Sequence, residues 1–232
     1  MGLVGTLQPL RSFRCRLPMA LGVRRTTIRT RRRSMPANPA ALAVGQLSER
    51  LAQGHYTHVA ALQVAMDPRA VALAPSTKPG FVVPVGYVGR NDGTEHAYHF
   101  IHFLERARTD PAIGRELESV WLSGALLAVG DALAAHGYFD RAPELEFLRH
   151  LRNGVAHGNV FRIDNPKSLT KYPAHNRLAL VRGDLKTEFE IVAGLNGQPV
   201  LFSYMGPGDV LDLLMSVGLY LIRMGNGDPL RP

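Results

Sequence analysis

Three side chains in "LRHLRNGVAHGN", Arg152, Asn153 and His157, combine the residue types that phosphoryl chemistry needs. Arginine stays charged and offers five N–H donors in a planar fork that matches a phosphate. Histidine titrates near neutrality and can take or give a proton. An amide beside them can both donate and accept. Without a metal, this set suffices for attack of an RNA 2′-hydroxyl on the adjacent phosphate. Histidine would move the proton and arginine would hold the developing charge. The same residues also read as an ordinary helix end. Gly158 then terminates the helix, His157 sits at the negative end of its dipole, and Arg149 and Arg152 form a solvated edge.

The element that must position them reads as an amphipathic helix. Leu145, Leu148, Leu151 and Val155 form an apolar stripe, while Glu146, Arg149 or His150, Asn153 and His157 form a polar one. Asn153 and His157 are four apart and share a face. Arg152 and His157 are five apart, about 140° around an ideal helix. A straight helix cannot aim both at one point. Either the helix unwinds near Gly154, or a second copy completes the site across a dimer axis. Gly154 suits both, since it permits a kink and a close backbone approach.

At these residues the chain resembles a family. "RNGVAH", Arg152 to His157, matches the Arg-x4-His motif of the HEPN superfamily, with Asn153 the usual polar residue after the arginine. "LRHLRNGVAHG" is similar to the "LRN…AHG" helix of HEPN proteins in prokaryotic defence and toxin systems. The resemblance implies an α-helical bundle, a homodimer, and a metal-independent ribonuclease that leaves cyclic phosphate ends and uses no cofactor. It makes Arg152 and His157 the catalytic residues and Asn153 a substrate-binding residue, with RNA as substrate and, in toxin systems, a cognate antitoxin as partner. Some relatives of this type are catalytically inactive modules that bind nucleotide or protein or hold a dimer together, which is the alternative reading. Toxins paired with a small nucleotidyltransferase carry tyrosine two residues after the motif histidine. Here Asn159 stands there, so that modification is not expected.

The surrounding pattern predicts a mainly α fold, a HEPN-like helical bundle with a small antiparallel β meander inserted between its last two helices. Residues 41–66 read as helical, weakened by Gly45 and Gly54. Residues 67–94, with Pro68, Pro75, Pro79 and Pro84, read as a long loop with a short extended piece at "FVVPVGYV". "EHAYHFIHFLERAR" restores helical period with Thr94 as its N-cap, and Pro111 marks a break. A long apolar helix then ends on Gly137, and the next begins near Pro143. "RLALVRG" and "TEFEIVAG" alternate in period two, and Asn196-Gly197 is a tight-turn pair, which places the meander at about 177–204. "GDVLDLLMSVGLYLIRMG" closes the bundle, with Asp209 as N-cap and Gly225 just past its end.

Composition narrows the function classes. The chain has 232 residues and a formal net charge of +8, but residues 1–34 hold nine arginines and no acid. Removing those nine from the 27 basic residues leaves 18 against 19 acids, a net charge of −1 from Met35 onward. Bulk charge therefore gives no broad phosphate attraction to the body of the protein. The head fits a signal peptide poorly. It reads as an organelle transit peptide or, preferred here, as a disordered extension ahead of a domain spanning 35–232. Cys15 is the only cysteine, so no intrachain disulfide forms, and a cytoplasmic location is expected. No uninterrupted apolar run approaches the ~18 residues of a membrane span, and no membrane partner is expected. His96, His99 and His102 recur every three residues but lack a His-Glu-x-x-His pattern, so packing is preferred to metal binding. "GRNDG" and "MGPGD" read as turns rather than phosphate loops.

Overall fold

A computed structural model of the chain describes residues 36–180 and 187–230. The Arg-rich stretch 1–34 and part of "RLALVRG" lie outside the described residues. The fold is mainly α with a small antiparallel sheet. Its elements are α1 (Pro39–Met66), β1 (Val85–Gly89), β2 (Glu95–His99), α2 (Phe100–Thr109), α3 (Pro111–Ala134), α4 (Pro143–Ala156), the short α5 (Lys167–Lys171) and α6 (Pro207–Asn226).

The tightest helix pair is α1 with α6. The two run antiparallel, with Leu42 against Gly225, Gly45 against Gly218 and Ser48 bonded to the Leu214 carbonyl at 2.7 Å. A Cβ on Gly45 would stand 2.9 Å from the Gly218 carbonyl oxygen, so the glycine that weakens the helical pattern is what lets the backbones meet. α3 and α4 close the core, in which Leu122, Leu126, Leu133, Leu145, Phe147, Leu148 and Leu151 are fully buried. α3 is long and apolar enough to cross a membrane by length and composition alone. Its second half packs in this core, while Leu117 and Val120 in its first half are exposed.

The sheet lies elsewhere than the sequence suggests. Among the described residues the ladder is β1 with β2, Val85 opposite His99 through Gly89 opposite Glu95, inside the stretch read as loop and helix start. "GRNDG" is its turn, with Asp92 Oδ1 accepting from the Thr94 amide at 2.9 Å and Gly93 at φ 82°. Strand pairing overrides helical period at residues 95–99, where Tyr98 lies over Gly86. Consequently α2 starts at Phe100, and its N-cap is His99, whose Nδ1 accepts from the His102 amide at 3.0 Å, not Thr94.

Residues 177–204 do not form the expected meander among the described positions. Asn196 (φ −56°, ψ 127°) and Gly197 (φ 82°) make a type II bend, not the type I′ turn that joins hairpin strands. The chain therefore returns onto residues 159–163: the Phe161 amide bonds the Gln198 carbonyl, and the Ile163 amide bonds Asn196 Oδ1. Pairing is limited to isolated bridges such as Val160 with Pro199 and His175 with Glu190. The alternation in "FEIV" still serves one-sided burial, since Phe189 and Ile191 are buried and their neighbours exposed. α6 is capped by Gly206, whose amide donates to Asp209 Oδ2 at 2.8 Å, and it ends at Gly227 (φ 72°) rather than Gly225.

Candidate functional site

α4 begins on Pro143, which needs no partner for a missing N–H, and carries Glu144 and Glu146 in its first turn, where the dipole favours acids. Its residues from Glu144 to Leu151 are buried except Arg149, and its last turn reaches the surface. The leucines of the apolar stripe are fully buried, and the polar stripe is buried in its first half, at Glu146 and His150, while His157 at its end is exposed. Glu146 is fully buried yet fully answered: Arg141 Nε donates to one oxygen at 2.5 Å and Arg149 Nε to the other at 2.6 Å. His150 Nε2 stands 3.3 Å from Arg149 Nη2, and burial, with the Arg149 charge beside it, holds the His150 imidazole down to about 4. Arg149 is thus a packed partner, not a solvated edge.

Arg141 reaches this pair from a strained turn. Gly137, Tyr138, Phe139 and Arg141 all take positive φ, between 51° and 61°, a conformation costly for bulky side chains. The Arg141 guanidinium also lies over the Tyr172 ring, 3.6 Å from its centroid. Half-buried Tyr138 lies near Arg149 and Arg152. Burial pushes its phenol up, and the two guanidinium charges pull the other way.

Arg152 is oriented by α3. Its Nε donates to Asp131 Oδ1 at 2.8 Å, its Nη2 to the same oxygen, and its Nη1 to Asn153 Oδ1 at 3.3 Å. Its stem crosses Gly130, where a Cβ would collide with Arg152 Cβ and Cγ. The Gly130-Asp131 pair is the site component that sequence reasoning missed. Its signal was present, because Asp131 is the only charged residue of α3 after Glu118.

His157 caps the helix at φ −108° and ψ 34°, with its amide bonded to the Asn153 and Gly154 carbonyls and its ring exposed. Arg152 and Asn153 are therefore brought together by a hydrogen bond, whereas the His157 ring has no hydrogen bond to either among the described residues. Unwinding at Gly154 does not occur: α4 runs through to Ala156. Nor does Gly154 leave room for a second copy's backbone. A Cβ there would strike Val200 Cγ2 and stand 3.3 Å from the Val160 carbonyl, so the glycine receives the chain's own return segment. Asn159 holds that segment down, at φ 64°, by accepting from the Leu201 amide at 2.7 Å and donating to the Leu201 carbonyl at 3.2 Å. Asparagine suits this position because its amide side chain tolerates the left-handed region.

Several other histidines make structural contacts, such as His99 Nδ1 accepting from the His102 amide. His96 and His99 are on β2 and His102 on α2, and among the described residues no group of three metal-ligating side chains could hold an ion. The His55 ring packs at a tilt against Trp121, centroids 4.8 Å apart, inside the α1–α3 contact.

Comparison of the chain with protein-family models, curated proteins and solved structures finds no match.

Proposed function

We propose that the chain is a metal-independent RNA endonuclease of HEPN type, acting in a defence or stress setting as a homodimer. The observation that carries the reading is the state of Arg152. Its fork is fixed by Asp131 and Asn153 five residues before an exposed histidine, so it meets a phosphate without first losing side-chain freedom. His157 as neutral imidazole takes the 2′-hydroxyl proton, the O2′–P bond forms, and the P–O5′ bond breaks. The departing O5′ receives its proton from the second copy's histidine or from water. Arg152 carries the charge gathering on the non-bridging oxygens, and Asn153 keeps it aimed. The products are a 2′,3′-cyclic phosphate and a 5′-hydroxyl. A dimer supplies a second histidine and answers the angle of about 140° between Arg152 and His157 on one helix. A cognate antitoxin is the partner this reading adds.

One observation favours the alternative, a catalytically inactive nucleotide- or protein-binding module: Arg152 already has a carboxylate partner in the single chain. Incubating RNA with the protein in chelator and identifying the fragment ends separates the two. Cyclic phosphate ends, lost in Arg152→Ala, are expected. Intact RNA under every condition would leave only the binding module.

A further inference from the structure

Arg141, Arg149 and Arg152 are docked in one manner. Each donates its Nε–H to a carboxylate of the bundle, Arg141 and Arg149 to Glu146 and Arg152 to Asp131. The carboxylate bonds of Arg141 and Arg149 use Nε alone; Arg149 Nη2 faces His150 Nε2 at 3.3 Å, which leaves Nη1 of Arg149 and the Nη end of Arg141 for a second anion. All three stay partly accessible, at 33%, 23% and 30% of their side-chain surface. Arg149 and Arg152 are one turn apart on α4, and Glu146 draws Arg141 to the turn before. Beyond Arg141, Lys171 Nζ approaches the same Tyr172 ring at 5.0 Å. Four cations and the Tyr172 ring thus form a row that ends at Arg152. Against them stand Glu146, buried beneath the row, Asp131, and Asp140 beside Arg141, which is held by the Tyr220 hydroxyl and the Ala142 amide. The row is locally positive although the body of the protein has a net charge of −1.

We infer that this row is a track for single-stranded RNA, in which Lys171, Arg141 and Arg149 take the phosphates next to the one held by Arg152. The inference rests on reading Arg152 and His157 as the cleavage site. Cations spaced along a ridge with an aromatic side chain among them are the chemistry that follows a single strand without reading its sequence. Forks already fixed by carboxylates lose little freedom on binding phosphate.

Removing Arg141 or Arg149 would strand buried Glu146, so the test falls on Lys171, which is exposed and makes no ion pair among the described residues. A labelled single-stranded RNA with 2′-O-methyl groups cannot be cut, so its binding is measured independently of catalysis. Affinities for full-length wild type and Lys171→Gln are compared over a salt series. Both chains carry residues 1–34, so the difference isolates Lys171. Lys171→Gln is expected to bind several-fold more weakly, with a log–log salt slope shallower by about 0.7, the value for one phosphate contact on a single strand. Lys171→Glu weakens binding further. Equal affinity and slope in wild type and Lys171→Gln overturn the track, as does failure of wild type to bind the strand. Unmodified RNA that is bound with the expected slope difference but never cut would remove the cleavage reading and leave the track standing.

Discussion

Glu146 and Asp131 both accept hydrogen bonds from arginines of the α4 face, yet the Glu146 side chain is fully buried and that of Asp131 is 59% exposed. Burial decides what each pair is for. Glu146 is out of water, so its two guanidiniums are the condition for keeping it charged inside the bundle. Asp131 remains solvated, so its pair with Arg152 adds little to stability and serves to orient the fork. Chemically similar contacts along the α4 face therefore serve folding at one end and orientation of a ligand-facing arginine at the other.

The largest effect on stability is expected at the buried pair. Glu146→Ala leaves Arg141 and Arg149 facing each other without their acid and should cost about 3–5 kcal/mol, read from the urea midpoint. A loss below about 1 kcal/mol would mean that burial does not separate the two carboxylates. Next comes Gly154→Ala, whose methyl meets Val200 and the Val160 carbonyl. Overpacking there should cost about 1–3 kcal/mol and loosen the return segment beside His157, which a thermal melt would register.

The pH dependence sharpens the same contrast. Folding lowers the His150 pKa from 6.5 to about 4, chiefly by burial. Between those values the unfolded chain binds a proton that the folded chain refuses, so stability falls as pH drops from 6.5 toward 4 and the loss levels off below. Melting temperatures across that window should fall more steeply for wild type than for His150→Gln, which keeps an acceptor for Arg149. Parallel curves would show that His150 is not the group responsible. The smallest expected effect is that of Asp131→Asn, which retains Oδ1 for Arg152 and should shift stability by less than about 1 kcal/mol. A shift as large as that of Glu146→Ala would erase the distinction.

How far the molecule was legible follows from the range of the forces involved. The long helices were readable from local period and breakers, with Pro111 and Pro143 at the starts of α3 and α4 and Gly137 just past the end of α3, whereas the short α5 carries no such signal. The sheet was misplaced because both signals were nonlocal. "EHAYH" has helical histidine spacing, but Tyr98 finds Gly86 across the hairpin. "TEFEIV" alternates like a strand, but its neighbours 193–198 bend back to residues 159–163 instead of forming a hairpin. At the site, Arg152, Asn153 and His157 were named by type and spacing. Asp131, 21 residues before Arg152, could be paired with it only once α3 and α4 were side by side.

Turnover of a defined RNA by wild type, Arg152→Lys, His157→Ala and the double variant tests the central claim most directly, with the melting temperature of each recorded alongside. Lysine keeps the charge but loses the planar fork that Asp131 and Asn153 orient. Each single variant should therefore lose at least about 100-fold in turnover while melting within a few degrees of wild type. The double variant should be scarcely worse than either, as expected of residues acting as one unit. Folded Arg152→Lys and His157→Ala proteins that cut RNA at the wild-type rate would contradict the account and reduce the cluster to a charged helix cap.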